Sequence, residues 1–392
     1  MKNWRNVLNH LEPILTTLKL KFVMPRKNIL YFLIILVSIT VILGVIYNLF
    51  VSRYQRMVVI PNKNIPQEVI PTITPTPDPD KPISILLLGY GGAGHDGGSL
   101  TDSIMLVEIK PHQSQINLIS IPRDLWVEIP IGTSEPHFGK INSAYAIGLD
   151  DKKYTQKSIE FTGLAGGGQM AKSVIGQVVG KDVDYFISLD FQGFTKAIDQ
   201  LGGVDVKVQK TFDDFLYPLD QGTTINNCGK SEEEIKALTA TLSGEKLESQ
   251  FPCRYETLHF DKGIVHMDGI TALKYSRSRH SATDGGDFNR AARQRQLILA
   301  VRDRIISLNF FTQAISVLDQ LSSHVKTDIN LVSLEKLISR APEFAKYQVK
   351  HIALTDQNVL KQDRSVDRQD ILIPTSGLND FSAIQNYLLT IE

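Results

Sequence analysis

Arginines are concentrated in the stretch 275–296, YSRSRHSATDGGDFNRAARQRQ, which contains Arg277, Arg279, Arg290, Arg293 and Arg295. The whole chain carries 42 basic and 42 acidic residues, so this excess of positive charge is local. Guanidinium groups bind phosphate and carboxylate oxygens through pairs of hydrogen bonds. The stretch is therefore typical either of an anion-binding pocket or of a solvated basic turn that is paired with Asp284 and Asp287.

A helix is predicted to begin near Phe288, because Asp287 is a good N-cap and no glycine or proline follows closely. The apolar stripe of this helix consists of Leu297, Val301, Ile305 and Leu308. Extended backwards at helical spacing, the stripe puts Arg290 and Gln294 on the same buried face. A buried arginine beside an open helix N-terminus favours a bound phosphate or carboxylate, so we favour the pocket over the solvated turn.

Length and composition describe a globular protein with a membrane anchor. At 392 residues and 42% hydrophobic, the chain can bury a full core, and its zero net charge gives no reason to expect nucleic-acid binding. Residues 29–51 contain no charged side chain and are long enough to span a bilayer. The basic segment 1–28 is then cytoplasmic and the bulk of the chain lies outside the cell. A cleaved signal peptide is the alternative, but the apolar run is too long for one.

Beyond the membrane, residues 52–82 are rich in proline and predict an extended stalk. The insertion 211–262 contains the two cysteines of the chain, Cys228 and Cys253. Disulfides persist outside the cell, so we expect these two to be joined; two free thiols are the alternative.

Residues 83–392 predict one α/β domain, in which a mixed central sheet is sandwiched between helices. The indicators are a buried strand (83–90), an antiparallel hairpin formed by DSIMLVEI and QINLISI, and a run of helix (170–179), strand (185–189), helix (191–201) and strand (204–208). Pro122 ends the second strand of the hairpin, which places Arg123 and Asp124 at its carboxyl end. Ligands of open α/β sheets bind at that edge.

Short blocks in a fixed order now resemble the LytR-CpsA-Psr family of cell-envelope phosphotransferases. The blocks are LLLG, TDSIML, SIPRDLWVEIP, KINSAYAIG, DFQGFTKAIDQLGGVDV, MDGITALKYSRSR and DFNRAARQRQ. The resemblance implies an enzyme that transfers a glycopolymer from an undecaprenyl pyrophosphate carrier to peptidoglycan through a phosphodiester bond. A polyprenyl pyrophosphate pyrophosphatase and a non-catalytic regulator of wall-polymer synthesis are the competing functions.

The resemblance also implies roles for individual residues. By motif position, the pyrophosphate is bound by Arg123, Arg277, Arg279, Arg290, Arg293 and Gln294. Asp102 and Arg123 are the expected catalytic residues, and Asp102 is either a ligand of Mg²⁺ (or Mn²⁺) or a general base. Asp124, Lys140 and Asp287 are expected to support these groups, although Asp124 can equally be a turn residue and Lys140 a surface lysine.

The chain departs from the family pattern at two positions. Gly91 stands where the family usually has an aspartate, and Leu100 stands where it usually has an arginine. Our hypothesis is that Asp96, with His95, replaces the missing carboxylate at the metal. The alternative is that His95 and Asp96 only shape a glycine-rich turn.

Overall fold

The structure is a computed structural model that describes residues 44–62, 81–95, 97–219, 226–307 and 320–391. The predicted cytoplasmic tail, most of the predicted membrane helix and residues 63–80 of the predicted stalk lie outside these residues. Residues 44–50 are helical. Within the described ranges, no helix has both the length and the apolar composition needed to cross a bilayer. The membrane anchor therefore stays a prediction.

Alternating strands and helices build the body of the protein, as the sequence predicts. The described strands are β1 (Ile83–Tyr90), β2 (Thr101–Lys110), β3 (Gln115–Ser120), β4 (Trp126–Glu128), β5 (Phe138–Lys140), β6 (Tyr185–Asp190), β7 (Val204–Val208), β8 (Phe212–Pro218), β9 (Tyr255–Phe260), β10 (Gly263–Met267), β11 (Val325–Thr327), β12 (Gln348–Ala353), β13 (Leu360–Arg364) and β14 (Asp370–Pro374). The described helices are α1 (Ser143–Leu149), α2 (Gly163–Val179), α3 (Phe191–Gln200), α4 (Glu232–Thr241), α5 (Glu245–Glu248), α6 (Gly269–Arg277), α7 (Asp287–Ser307), α8 (Leu331–Phe344) and α9 (Ser382–Thr390).

The central sheet has six strands in the order β11-β6-β1-β2-β3-β12. β2 and β3 form the predicted antiparallel hairpin, and β1 is antiparallel to β2 but parallel to β6. β12 is parallel to β3, and β11 is antiparallel to β6. The prediction of a mixed sheet is confirmed.

The two faces of the sheet have different surroundings, because successive side chains of a strand point in opposite directions. Leu86 and Leu88 of β1 pack in the main apolar core, to which α1, α2 and α9 also contribute. Leu87, Met105 and Ile187 point to the other face and line an apolar cavity beneath α3 and α7. The second face is thus covered by helices with a cavity between them and the sheet.

The predicted insertion is anchored in a second core. Its strands β8 and β9 pair with each other, and Phe212 and Phe260 pack with Tyr275 of α6. Cys228 and Cys253 are joined by a disulfide, as expected from the sequence, with their Cα atoms 5.6 Å apart. The base of the insertion is therefore part of the fold rather than an appendage to it.

The predicted stalk begins later than residue 52. Residues 51–57 are helical, and Tyr54, Met57 and Val59 are buried against the domain. The N–H of Val59 donates to the carbonyl oxygen of Thr327 (2.8 Å), and the hydroxyl of Tyr54 donates to the carbonyl oxygen of Ile329 (2.9 Å). The prediction of an extended stalk is therefore wrong for residues 52–59, because their apolar side chains dock against the domain.

Candidate active site

The segment between α6 and α7 carries Arg279 and is held in place by a buried carboxylate. Asp214 on β8 is fully buried. Its Oδ2 accepts hydrogen bonds from Ser278 Oγ (2.6 Å) and from the backbone N–H groups of Arg279 (2.9 Å) and His280 (3.1 Å). Such charge-assisted bonds fix the backbone that aims the arginine. Sequence reasoning missed Asp214, since nothing in TFDDFLYP separates it from Asp213.

Arg293 holds the same segment from inside and does not reach the candidate site. Its side chain is almost fully buried and lies over the ring of Phe212. The guanidinium donates to the carbonyl oxygens of Tyr275, Ser278 and Asp284 and to the Asp284 carboxylate. These bonds use four of its five N–H groups. The prediction that Arg293 binds pyrophosphate is therefore wrong: it is a structural residue that positions the other arginines.

The remaining predicted groups converge from distant parts of the chain. Arg123, just after β3, forms an ion pair with Asp102 on β2, and its Nε lies 3.5 Å from Oδ2 of Asp124. On the first turn of α7, Nη2 of Arg290 lies 3.0 Å from Oδ1 of Asp287. All five side chains line one cleft. The helical spacing predicted the inward direction of Arg290, which is buried.

Three guanidinium groups, those of Arg123, Arg279 and Arg290, are close enough to interact electrostatically at this point. Burial, followed by the charges of Arg123 and Arg279, lowers the pKa of Arg290 to about 10, although Asp287 opposes the shift. Burial alone would raise the pKa of Asp287, but Arg290, Arg279 and Arg123 together hold that pKa below its usual range. A bound anion, in addition to the carboxylates already present, would reduce the electrostatic repulsion among these guanidinium groups.

Two cavities meet at the arginines. The apolar cavity, of about 550 Å³, runs between the sheet and α3, α6 and α7, and its apolar lining includes Leu87, Met105, Ile187, Ala197, Leu297 and Val301. Four arginines also line it: Arg123, Arg277, Arg279 and Arg290. The polar cleft, of about 460 Å³, leads from Asp102, Arg123 and Arg290 to the β13–β14 hairpin. The site therefore offers one apolar and one polar approach to the same guanidinium groups.

Gln294 and Ser103 line both cavities. Ser103 Oγ donates to Oε1 of Gln294 (2.9 Å), which joins β2 to α7 next to Asp102. The role of Gln294 as a neutral donor to pyrophosphate stays a prediction; its Nε2 donates to the carbonyl oxygen of Ser276 (3.4 Å). The hydroxyl of Ser103 was not singled out from the sequence. The only feature of the sequence that could have indicated Ser103 is its position next to Asp102 on the same strand.

Comparison with known proteins identifies the family. The LytR_cpsA_psr family model matches residues 47–374. This chain belongs to the LytR_cpsA_psr family. It is 27% identical over 314 residues to the polyisoprenyl-teichoic acid–peptidoglycan teichoic acid transferase TagU of Bacillus anthracis, covering 78% of this chain and 80% of TagU. It is 28% identical over 254 residues to the corresponding transferase TagV of Bacillus subtilis, covering 64% of this chain and 51% of TagV.

Solved structures show the same fold. The protein gbs0355 of Streptococcus agalactiae superposes with a TM-score of 0.53 at 23% identity, covering 79% of this chain and 87% of that one. The crystal structure of B. subtilis TagV superposes with a TM-score of 0.51 at 22% identity, covering 79% of this chain and 97% of that one. The mixed sheet with its helices is thus the LytR_cpsA_psr fold.

The departure from the family pattern at Gly91 has a structural counterpart in His95. A Cβ placed on Gly91 would lie 2.4 Å from Nδ1 of His95, so the imidazole occupies the space of a side chain at position 91. Nδ1 of His95 accepts from the N–H of Gly97 (3.1 Å), and Nε2 lies 3.1 Å from Nη2 of Arg277. His95 therefore contacts an arginine of the site. Asp96 lies outside the described residues, and Leu100, the second departure, is exposed.

Arg277 is fixed in the lining of the apolar cavity by aromatic side chains as well as by His95. Its Nη1 donates to the hydroxyl of Tyr217 (3.1 Å), and its guanidinium carbon lies 4.7 Å from the centroid of the Phe191 ring. Cation–π contact of this kind holds a guanidinium while leaving its charge in place. Tyr217 comes from the insertion, which explains why sequence reasoning did not connect it with the site.

Asp124 lies between two basic groups. Its Oδ2 lies 3.5 Å from Nε of Arg123, and its Oδ1 accepts a hydrogen bond of 2.7 Å from Nζ of Lys140 on β5. The supporting role predicted for Asp124 and Lys140 matches these contacts, and neither residue is an isolated turn or surface group.

The residues present are compatible with a magnesium ion. Within the described part of the chain, no group of three or more His, Cys, Asp or Glu side chains is placed to hold a metal. Magnesium is nevertheless commonly bound through one or two carboxylates together with substrate phosphate oxygens. Asp102, which is paired with Arg123, is the residue that would supply such an oxygen ligand.

Proposed function

We propose that this protein is a membrane-anchored, extracytoplasmic phosphotransferase that moves a glycopolymer from an undecaprenyl pyrophosphate carrier to peptidoglycan. The observation that carries the proposal is a largely apolar cavity whose lining includes four guanidinium groups. A polyprenyl pyrophosphate has the matching chemistry, because a diphosphate is joined to a long apolar chain. The names of the relatives TagU and TagV, transferases of polyisoprenyl-linked teichoic acid to peptidoglycan, support the same reaction.

In this reaction a sugar hydroxyl attacks the glycan-linked phosphorus. A new P–O bond forms, the bond from that phosphorus to the bridging oxygen breaks, and polyprenyl monophosphate leaves. Phosphoryl transfer depends mainly on positioning and on neutralising charge at the phosphorus and the leaving group. Arg123 and Arg290 lie where the two cavities meet and serve the phosphorus, whereas Arg277 and Arg279, which line the apolar cavity, serve the lipid-side phosphate.

Asp102 has one of two roles in this proposal. It accepts the proton of the attacking hydroxyl, or it holds a magnesium ion that neutralises charge on the pyrophosphate. Arg123 fixes the carboxylate of Asp102 in either case. Asp124 and Lys140 orient Arg123 from behind.

The product of the purified full-length protein tests the function. With Mg²⁺, a lipid pyrophosphate-linked glycan and a peptidoglycan oligomer, mass spectrometry should find a glycan–phosphate–peptidoglycan adduct and polyprenyl monophosphate. Arg123→Ala should abolish the adduct. Arg302→Ala is the matched control, because Arg302 is on α7 but pairs with Asp303 at the surface. Phosphorylated glycan without adduct would instead indicate a pyrophosphatase, and full in vivo complementation by Arg123→Ala would indicate a regulator.

Filling the apolar cavity tests where the lipid binds. Ala197 lies on α3 in the cavity wall. Ala197→Trp should abolish transfer from a long-chain donor but leave transfer from a donor with two isoprene units nearly unchanged, because the short chain needs only the part of the cavity beside the arginines. Equal loss with both donors would place the lipid elsewhere.

A further inference from the structure

The polar cleft is a separate space from the cavity assigned to the lipid. One wall is the start of α7, with Asp287, Phe288 and Ala291, and the other is the C-terminal β13–β14 hairpin. Asp102 and Arg123 also line the cleft. A molecule bound in the cleft would thus reach the reacting phosphorus from the side of the hairpin, while the lipid occupies the space between sheet and helices.

The hairpin is attached to the strand end that carries the catalytic groups. The backbone N–H of Leu372 on β14 donates to the carbonyl oxygen of Asp124 (3.0 Å), and Leu372 forms a parallel bridge with Leu125. Leu360 and Ile371 of the hairpin are buried. The hairpin wall therefore keeps a fixed distance to Arg123, as a substrate-positioning wall requires.

The side chains of the cleft suit a saccharide. The hairpin side presents the carboxylates of Asp356, Asp363 and Asp370 and the amide of Gln362, and Phe288 lines the opposite wall. Carboxylates and amides accept and donate hydrogen bonds to hydroxyl groups, and an aromatic ring covers the C–H face of a sugar. Gln362 Nε2 donates to Oδ2 of Asp356 (2.7 Å), so these two groups are already joined by a hydrogen bond.

We propose that the polar cleft is the subsite for the acceptor, a hydroxyl-rich peptidoglycan saccharide; the assignment rests on the proposed transferase function. The attacking and leaving oxygens of a phosphoryl transfer lie roughly in line, so donor lipid and acceptor hydroxyl need different approaches to the phosphorus. The cleft provides the second approach.

Two-substrate kinetics of the full-length protein test the assignment. Asp363→Ala and Phe288→Ala should each raise the KM for a peptidoglycan tetrasaccharide about 5- to 30-fold, as expected for the loss of one or two contacts. The KM for the lipid-linked donor should stay unchanged. Asp182→Ala is the control for loss of an exposed carboxylate, since Asp182 precedes β6 at the end of that strand remote from the site. If only the KM for the donor rises, the donor glycan binds in the cleft. If neither KM changes, no saccharide binds there. Either result overturns the proposal.

Direct binding separates this proposal from the transferase function. The tetrasaccharide is titrated into the full-length protein by calorimetry, without donor. Wild type should bind it, and Asp363→Ala, which changes an exposed side chain and leaves the fold intact, should weaken binding. If binding is weakened as expected but no transfer product forms, the cleft assignment stands and the transferase fails. If transfer proceeds but Asp363→Ala changes neither binding nor acceptor KM, the cleft assignment fails alone.

Discussion

Replacing Arg293 by lysine should destabilise the protein while the charge of the side chain is kept. The guanidinium spans the carbonyl oxygens of Tyr275 (3.1 Å) and Asp284 (2.7 Å), that of Ser278 and the Asp284 carboxylate. A lysine ammonium donates from a single point and can keep the carboxylate and one carbonyl. Two charge-assisted hydrogen bonds are lost, which at about 1.5–3 kcal/mol each lowers the free energy of unfolding by about 3–6 kcal/mol.

Thermal unfolding of the purified protein measures this effect. At about 2–4 °C per kcal/mol, the melting temperature of Arg293→Lys should fall by about 6 °C or more. Arg279→Lys is the matched comparison, because Arg279 is partly exposed and its Nε is 3.5 Å from Asp287. That change should alter stability by less than about 1 kcal/mol, yet reduce transfer because the bidentate donor is lost. If Arg293→Lys melts like wild type but loses donor affinity, Arg293 is a ligand and our reasoning is refuted.

Three further predictions concern the acidic residues and the disulfide. Asp102→Asn should lower turnover about 10²–10⁴-fold in a single-turnover transfer assay, with little change in melting temperature. The pKa of Asp287 in the folded state is depressed below its value in the unfolded state. The stability that Asp287 contributes is therefore present above about pH 4 and is lost as the pH falls through the folded-state pKa. In urea unfolding measured from pH 6 to 3, Asp287→Asn should lose less stability than wild type. Replacing both Cys228 and Cys253 by serine opens a link across a separation of 25 residues, and denaturant unfolding should show a loss of about 3 kcal/mol.

The fold could be predicted where local signals agree with tertiary packing. β1 contains a continuous apolar run, β2 and β3 each contain a shorter apolar segment, and Asp287 signals the start of α7, so their positions follow from the sequence. α2 begins at Gly163, earlier than the predicted residue 170, because the glycines at 166–168 argue against a helix on propensity alone. A Cβ on Gly168 would lie 2.2 Å from the Phe186 ring. The glycines therefore permit close packing of helix and sheet, which a propensity scale cannot register.

β13 shows the opposite case. Its sequence, LKQDR, has one apolar residue and no alternation, so no strand was predicted there. The segment becomes a strand because it pairs with β14 from Leu360 to Arg364, and β14 is itself held by the backbone of Asp124. A strand that is stabilised mainly by its neighbour leaves no pattern in its own residues.

The same limit decides which site residues could be found from sequence. Helical periodicity correctly predicted that Arg290 points inward, whereas the ligand role of Arg293, about one turn further along the helix, was predicted from its motif position. An inward face is wide enough to meet two different environments: Arg290 meets the cleft, whereas Arg293 meets the carbonyl groups that end α6. Periodicity predicts the direction in which a side chain points from the helix axis. It does not predict which groups lie opposite that side chain. The same holds for Asp214 and Tyr217 of the insertion, which hold Arg279 and Arg277 in place. Their contacts span more than fifty residues of sequence, so local periodicity could not predict them. Substituting such supporting residues should therefore disturb the site as strongly as substituting the arginines they hold.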